Sequence, residues 1–124
     1  MEKEKLFAAS IEIVALLGKG DYDELERRGA LEYMSADAVR FAVRDYGESI
    51  EGYKGEIDPP VDATADAYRE HFSFIQSEDG NTYWTYLDLF LDGIGEASDL
   101  TLICLIEAEN DCIVKTVIDD IHVM

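Results

Sequence analysis

Residues 82–106 read TYWTYLDLFLDGIGEASDLTLICLI and include the most apolar part of the sequence. Two runs within them, 83–91 and 100–106, are dense in β-branched, aromatic and large aliphatic residues, which favour β-strands. The acidic, glycine-containing segment between the runs is typical of a turn. We therefore expect the two runs to form neighbouring strands at the centre of a sheet.

One further strand is predicted on each side of this pair. Asp79-Gly80 is the strongest short hairpin signal in the chain, and it pairs a strand over 68–76 with the run that follows. This pairing sets three pairs of residues opposite one another: Ile75 and Trp84, Ser73 and Tyr86, His71 and Asp88. A strand over 98–108 then turns at 109–111 into a last strand over 113–123. The pattern predicts a four-stranded antiparallel meander.

Three helices are predicted before the sheet. Apolar residues recur at helical spacing over 4–17, and the glycines of 18–20 end that run. Asp21 and Glu24 form a capping-box-like pair that begins a short second helix. Ser35 caps a third helix, which Gly47 is expected to end.

The predicted helices and strands make one α+β domain over 1–124. Helices over about 4–47 pack on one face of a four-stranded antiparallel meander over about 68–123. Residues 48–66, which contain two adjacent prolines, are predicted to be the connecting loop. A chain of 124 residues is long enough to bury a single core.

The alternation of side chains along the strands sorts the apolar residues onto two faces. The core face, covered by the first and third helices, collects Phe72, Phe74, Leu87, Leu89, Leu91, Leu100, Leu102, Cys104, Ile106, Ile113 and Val117. The second face would be polar if it met water, yet it collects Ile75, Trp84, Tyr86, Phe90, Ile103, Leu105, Val114 and Ile118. A second copy of the chain, another protein, a ligand pocket formed by the curl of the sheet, or the loop over 48–66 could cover it. The predicted partner or dimer interface consists of Ile75, Trp84, Tyr86, Phe90, Ile103 and Leu105.

Acidic residues dominate the charge of the chain. It has 28 Asp and Glu against 10 Lys and Arg, a net charge of −18 and a pI near 4.1. Such a surface repels phosphates, so nucleic acid is not expected as a partner. The charge serves either solubility or the attraction of a basic protein partner.

The cysteines and the N-terminus indicate a cytoplasmic chain. Cys104 and Cys112 are too few for a secreted disulfide scaffold, and neither has the electropositive surroundings of a nucleophile. Glu2, Glu4 and Glu12 interrupt the pattern of a signal peptide. No apolar run approaches the roughly 20 residues of a membrane span, so no membrane association is expected.

Candidate chemistry is confined to a few side chains of the second face. His71 opposite Asp88 is the catalytic candidate, because a carboxylate orients a histidine and raises its basicity. Asp120 and His122 could extend this cluster. The alternative is an ion pair near a sheet end. No metal site and no cofactor is predicted, since the spacings of zinc sites and phosphate loops are absent.

The C-terminal half carries a resemblance. Ser98-Asp99-Leu100-Thr101 and Asp120-Ile121-His122-Val123 are similar to strands in a group of small uncharacterised bacterial proteins. The order of three helices and a long meander resembles the cystatin-like and nuclear-transport-factor-like α+β superfamily. That resemblance implies helices laid on a curved sheet, and its enzymes use an Asp or His inside the cone of the sheet, here His71 or Asp88. Small acidic bacterial proteins of this sort are often immunity proteins that neutralise a toxin.

Three functions follow as expectations. The first is a non-enzymatic acidic binding protein, of the immunity type that neutralises a basic toxin. The second is a small-ligand-binding or lyase/isomerase-like protein with a pocket in the cone of the sheet. The third is a homodimer whose interface is the second face.

Overall fold

The computed structural model describes residues 2–49, 68–90 and 97–123. Three helices come first: α1 (Lys3–Lys19), α2 (Tyr22–Arg27) and α3 (Ala36–Ser49). Four strands follow: β1 (Phe72–Gln76), β2 (Thr82–Phe90), β3 (Ala97–Glu109) and β4 (Cys112–Val123). The strands pair antiparallel in the order β1-β2-β3-β4. The predicted α+β arrangement of three helices and a four-stranded meander is confirmed. Residues 50–66 of the predicted loop and residues 91–96, in the predicted turn before the third strand, lie outside the described residues.

The predicted helix caps are confirmed in atomic detail. The Asp21 carboxylate accepts a hydrogen bond from the Glu24 amide at 3.2 Å, and the Ser35 hydroxyl accepts one from the Ala38 amide at 3.2 Å. Gly20 ends α1 with a left-handed φ of 67°. The predicted end of α3 at Gly47 is wrong, because the helix continues to Ser49. A single glycine costs a helix only about 1 kcal/mol, which neighbouring turns can offset.

The first strand begins later than predicted. Residues Arg69–His71 form one turn of 3-10 helix, and β1 starts at Phe72. The Arg69 guanidinium pairs with Glu4 at 2.7 Å and lies over the Phe7 ring at 4.8 Å. These two contacts are to α1, while His71 in the same turn lies 3.7 Å from Asp88 of β2, so the turn is held by both the helix and the sheet.

The core lies between the helices and one face of the sheet. Both α1 and α3 contact the sheet, and the Phe7 and Phe72 rings meet edge to face at 5.3 Å. The strands contribute the following buried residues to this cluster: Phe72, Tyr83, Leu87, Leu89, Leu100, Leu102, Cys104, Ile106, Ile118 and Ile121. This confirms the core-face assignment of most residues on β2 and β3.

Two β-bulges reverse the predicted faces in the middle of β4. Glu107 pairs with Lys115 while Ala108 pairs with Ile113, which leaves Val114 as an extra residue. Ile103 pairs with Asp120 while Cys104 pairs with Ile118, which leaves Asp119 as an extra residue. An extra residue inverts the alternation of the strand beyond it. Val117 therefore lies opposite Leu105 on the second face, and Ile118 lies on the core face. The predictions for Val117 and Ile118 are wrong for this reason.

A buried polar contact joins α1 to the centre of the sheet. The hydroxyls of Ser10 and Thr85 lie 3.0 Å apart, and both residues are buried. The Ser10 hydroxyl donates to the Leu6 carbonyl oxygen at 3.1 Å, so its one proton is used and the Thr85 hydroxyl donates to Ser10. This contact places α1 over β2.

We expect Ser10→Ala to lower the free energy of unfolding by about 1–3 kcal/mol, because the Thr85 hydroxyl then loses its buried acceptor. Thr85→Val should cost a similar amount, and the double variant should cost clearly less than the two added together. Urea unfolding of the four proteins measures this coupling, with Ser73→Ala on exposed β1 as a control. Additive costs would contradict a direct contact.

Candidate functional site

A row of four apolar side chains crosses the second face of the sheet, one from each strand. The register places Ile75 beside Trp84, Trp84 beside Leu105, and Leu105 beside Val117. The adjacent row contains Tyr86 and Ile103. We call these six residues the apolar band. Five of the six predicted interface residues belong to it; Phe90 lies in β2 beyond an irregularity in the ladder, and its side chain is outside the described part of the structure.

Exposure rises along the band from β4 to β1. Val117 is 2% exposed and Ile103 is 7% exposed, although neither belongs to the core cluster under the helices. Trp84, Tyr86 and Leu105 are half-buried, and Ile75 at the sheet edge is 58% exposed. The band is therefore a separate apolar cluster whose β1 and β2 end can be reached from solvent.

Two histidine–carboxylate pairs lie at one end of the band. His71 Nδ1 is 3.7 Å from Asp88 Oδ2, and His122 Nδ1 is 2.7 Å from Asp120 Oδ2. Thr101 lies between the two pairs, in register with both Asp88 and His122, and its hydroxyl donates to Asp88 Oδ1 at 3.0 Å. The structure thus brings together the four polar residues that the sequence singled out, although His71 precedes β1 rather than pairing within it.

The geometry of these pairs favours an electrostatic role. At 3.7 Å the contact between His71 and Asp88 is longer than a hydrogen bond and is an ion pair only when the histidine is protonated. The side chains of His71, Asp88, Asp120 and His122 are 35%, 42%, 49% and 44% exposed. Water reaches all four, whereas a general base in a closed site would be shielded. The cluster carries charge at the rim of the band.

The sheet half carries most of the negative charge. Residues 72–124 contain eleven Asp and Glu and a single Lys, which gives −10 of the total of −18. That cation, Lys115, binds the Glu32 carboxylate, and this hydrogen bond raises the pKa of the Lys115 ammonium. Asp88 and Asp120 lie at one end of the band, and Glu107, opposite Thr82, lies at the other. The band is therefore an apolar centre between carboxylates.

A cleft on the helix side was not predicted from the sequence. It lies between α2 and α3, has a volume of about 430 Å³, and is lined by Glu26, Gly29, Leu31, Glu32, Ser35, Ala36 and Asp37. Two exposed aromatic residues occur in the same part of the chain, Tyr33 at 57% and Phe41 at 67%. Its lining comes from the end of α2, the segment 29–35 and the start of α3, whose juxtaposition the sequence pattern does not specify.

The two cysteines have opposite environments. Cys104 is buried, and burial raises the pKa of its thiol to about 12. Cys112 is exposed at the start of β4, after a turn in which Asn110 and Asp111 have positive φ. The predicted burial of Cys104 is confirmed.

We expect the folded protein to take up one equivalent of iodoacetamide at pH 8, at Cys112. A thiol with a pKa of about 12 has a thiolate fraction on the order of 10⁻⁴ at this pH, and burial also denies access to Cys104. Mass spectrometry of digested protein identifies the labelled residue. Cys112→Ser should remain unlabelled until urea is added, whereas labelling of Cys104 at the rate of Cys112 would contradict its burial.

Comparison with known proteins identifies a family without an assigned activity. Residues 14–124 match a family described as a domain of unknown function (DUF7668). No curated protein and no solved structure matches the chain. The described ranges contain no group of three or more His, Cys, Asp or Glu residues that could hold a metal ion. None of the helices in these ranges is long and apolar enough to cross a membrane.

Proposed function

We propose that this chain, which belongs to the DUF7668 family, is a non-enzymatic binding protein whose apolar band binds a basic protein partner. The observation that carries this proposal is the apolar row across all four strands, placed between carboxylates on the most acidic half of the chain.

The composition of the band supports protein binding. Interfaces have an apolar centre with a polar rim, and tryptophan and tyrosine are frequent anchors in them. Trp84 and Tyr86 are half-buried on this face, so their rings are held by neighbours while part of their surface remains available. Ile75 adds an exposed aliphatic side chain beside Trp84.

The charge of the chain favours a basic partner over a second copy on this face. Two copies stacked on this face would bring together the carboxylates at the ends of both bands, and each copy carries −18. A basic protein instead gains attraction during the encounter, which raises the association rate. Rapid capture of a basic protein is what neutralisation of a toxin requires. We therefore propose an immunity-type protein that acts in the bacterial cytoplasm on a basic toxin domain.

The genes beside that of this chain provide the test. We expect one of them to encode a large secreted protein with a basic C-terminal domain, and we expect that domain to bind the chain when both are purified. Trp84→Ala should weaken binding by at least about 30-fold, equivalent to the roughly 2 kcal/mol of an anchor residue. Phe41→Ala removes an aromatic ring that is 67% exposed on α3 and should leave affinity unchanged. Isothermal titration calorimetry measures both.

Three results would contradict the proposal. Equal affinity of the wild type and Trp84→Ala for the basic domain would show that the band is not part of the interface. Affinity that rises with salt would exclude attraction between opposite charges. A stable dimer in sedimentation equilibrium that Trp84→Asp separates would show that the band is occupied by a second copy.

A small-ligand-binding or lyase/isomerase-like protein is the second candidate function. It is favoured by one contact, since Asp88 is oriented by Thr101 and lies within 3.7 Å of His71 at the end of the band. The order of three helices and a four-stranded meander is compatible with the cystatin-like or nuclear-transport-factor-like resemblance from which this candidate comes.

In that case an apolar fluorescent probe should bind with a stoichiometry of about one, as a single enclosed pocket requires. His71→Ala should weaken probe binding without changing the thermal midpoint, and His122→Ala provides the matched control at the other histidine pair. Absence of probe binding, or equal binding by His71→Ala, would contradict a pocket at this end of the sheet.

A further inference from the structure

The outer edge of β1 is the feature from which a second inference follows. β1 is the first strand of the sheet and has a neighbour, β2, on one side only. The opposite edge strand, β4, is partly covered, because the Ile118 amide donates to the Ala30 carbonyl oxygen at 2.9 Å. In the part of the chain that the structure describes, no backbone group pairs with the outer side of β1.

The residues whose backbone groups point outward can be identified from the hairpin. The Ser77 amide donates to the Thr82 carbonyl oxygen at 2.8 Å, so hydrogen bonding to β2 recurs at every second residue before it, at Ile75 and Ser73. The amides and carbonyls of Phe72, Phe74 and Gln76 therefore face away from the sheet. They form a row of donors and acceptors to which another strand can pair.

β1 is also the uncharged exposed strand of an acidic protein. Its sequence is FSFIQ, and it exposes apolar side chains on both of its faces, Phe74 at 36% and Ile75 at 58%. Open edges of native sheets usually carry charges that prevent pairing. β4 has Lys115, Asp119 and Asp120, but β1 has no such residue.

We propose that β1 pairs antiparallel with β1 of a second copy, about a two-fold axis at Phe74, so that two four-stranded sheets become one. A second copy fits this edge because identical uncharged strands place no like charges opposite each other. The axis at Phe74 sets Phe74 against its own copy and Phe72 against Gln76. All the outward amides, three from each copy, then find acceptors.

The dimer should be weak and should strengthen with salt. Five-residue strands bury less area than the roughly 1,200 Å² of a standard stable interface. Each copy carries −18, and Glu70 and Glu78 lie just beyond the two ends of β1. Screening of this repulsion favours association, whereas it weakens a complex with a basic partner. The salt dependence therefore distinguishes this dimer from the proposed function, on which it does not rest.

Sedimentation equilibrium of the purified chain tests the proposal at about 50 mM and about 500 mM NaCl. We expect a monomer–dimer equilibrium with a dissociation constant between about 10 μM and 1 mM, tighter at high salt. Phe74→Pro removes an outward amide without breaking the ladder to β2, and we expect it to weaken the dimer at least about 10-fold beyond Phe74→Ala. The alanine variant loses the same ring and keeps the amide. A monomer at both salt concentrations, or equal association of the two variants, would overturn the proposal.

Amide hydrogen exchange of the wild-type protein provides a test that needs no substitution. Raising the protein concentration at high salt should slow exchange at Phe74 and Gln76, whose amides point outward. Ser73 and Ile75 already donate to β2 and should be protected at every concentration. Exchange at Phe74 and Gln76 that does not depend on protein concentration would contradict pairing at this edge. Because this test uses the wild-type protein, it remains decisive even if Phe74→Pro fails to fold.

Discussion

The structure depends on one constraint: the sheet has apolar side chains on both faces, while the three helices cover only one. Strand pairing imposes this arrangement, because residues that pair across two strands place their side chains on the same face of the sheet. On the helix side the constraint is met by a closed core. On the other side burial is graded. Ile103 and Val117, on the long strands β3 and β4, are buried. β1 is short and has one neighbour, so Ile75 remains exposed. The accessible part of the sheet is therefore its uncharged edge and the adjoining end of the band.

The elements could be predicted from the sequence because their signals are local. Asp21 and Ser35 cap helices, and Gly20 ends one, through contacts within one helical turn of their own positions. Asp79-Gly80 sets the register of β1 against β2 because the connection between these strands is short. The faces of β4 could not be predicted in the same way. The bulges at Val114 and Asp119 depend on how β4 fits the twist of β3 and the segment at Ala30, which is a tertiary property. The same holds for the turn before β1, which contacts α1 through Arg69.

The candidate site was predictable to the extent that it depends on strand pairing. Trp84 lies beside Ile75 and Leu105 because the two hairpins place them there, and His71 comes close to Asp88 for the same reason. The role of Thr101 could not be predicted, because a threonine in an apolar strand gives no sign that its hydroxyl will bind a carboxylate on the neighbouring strand. The exposed fraction of each side chain could not be predicted from the sequence either, since it depends on strand length, twist and neighbours. The exposure of the His71 and His122 side chains is what distinguishes a charged rim of the band from a closed catalytic site.

The charge distribution gives the molecule two unlike sides. On the helices, acids are offset by nearby cations, as where Arg28 binds both Glu24 and Glu12. On the sheet side Lys115 is the single Lys or Arg after residue 72, and Glu32 already binds it. This difference is the reason for which we propose that a basic partner binds on the sheet side rather than on the helices. Pairing of two copies at β1 would lie in the plane of the sheet and leave the second face uncovered. With the axis at Phe74, Ile75 of each copy would stand opposite Ser73 of the other on that face, and the two apolar bands would meet at the seam. Two basic sites on one partner could then be bound together, and linkage of this kind strengthens binding without any new contact within either site.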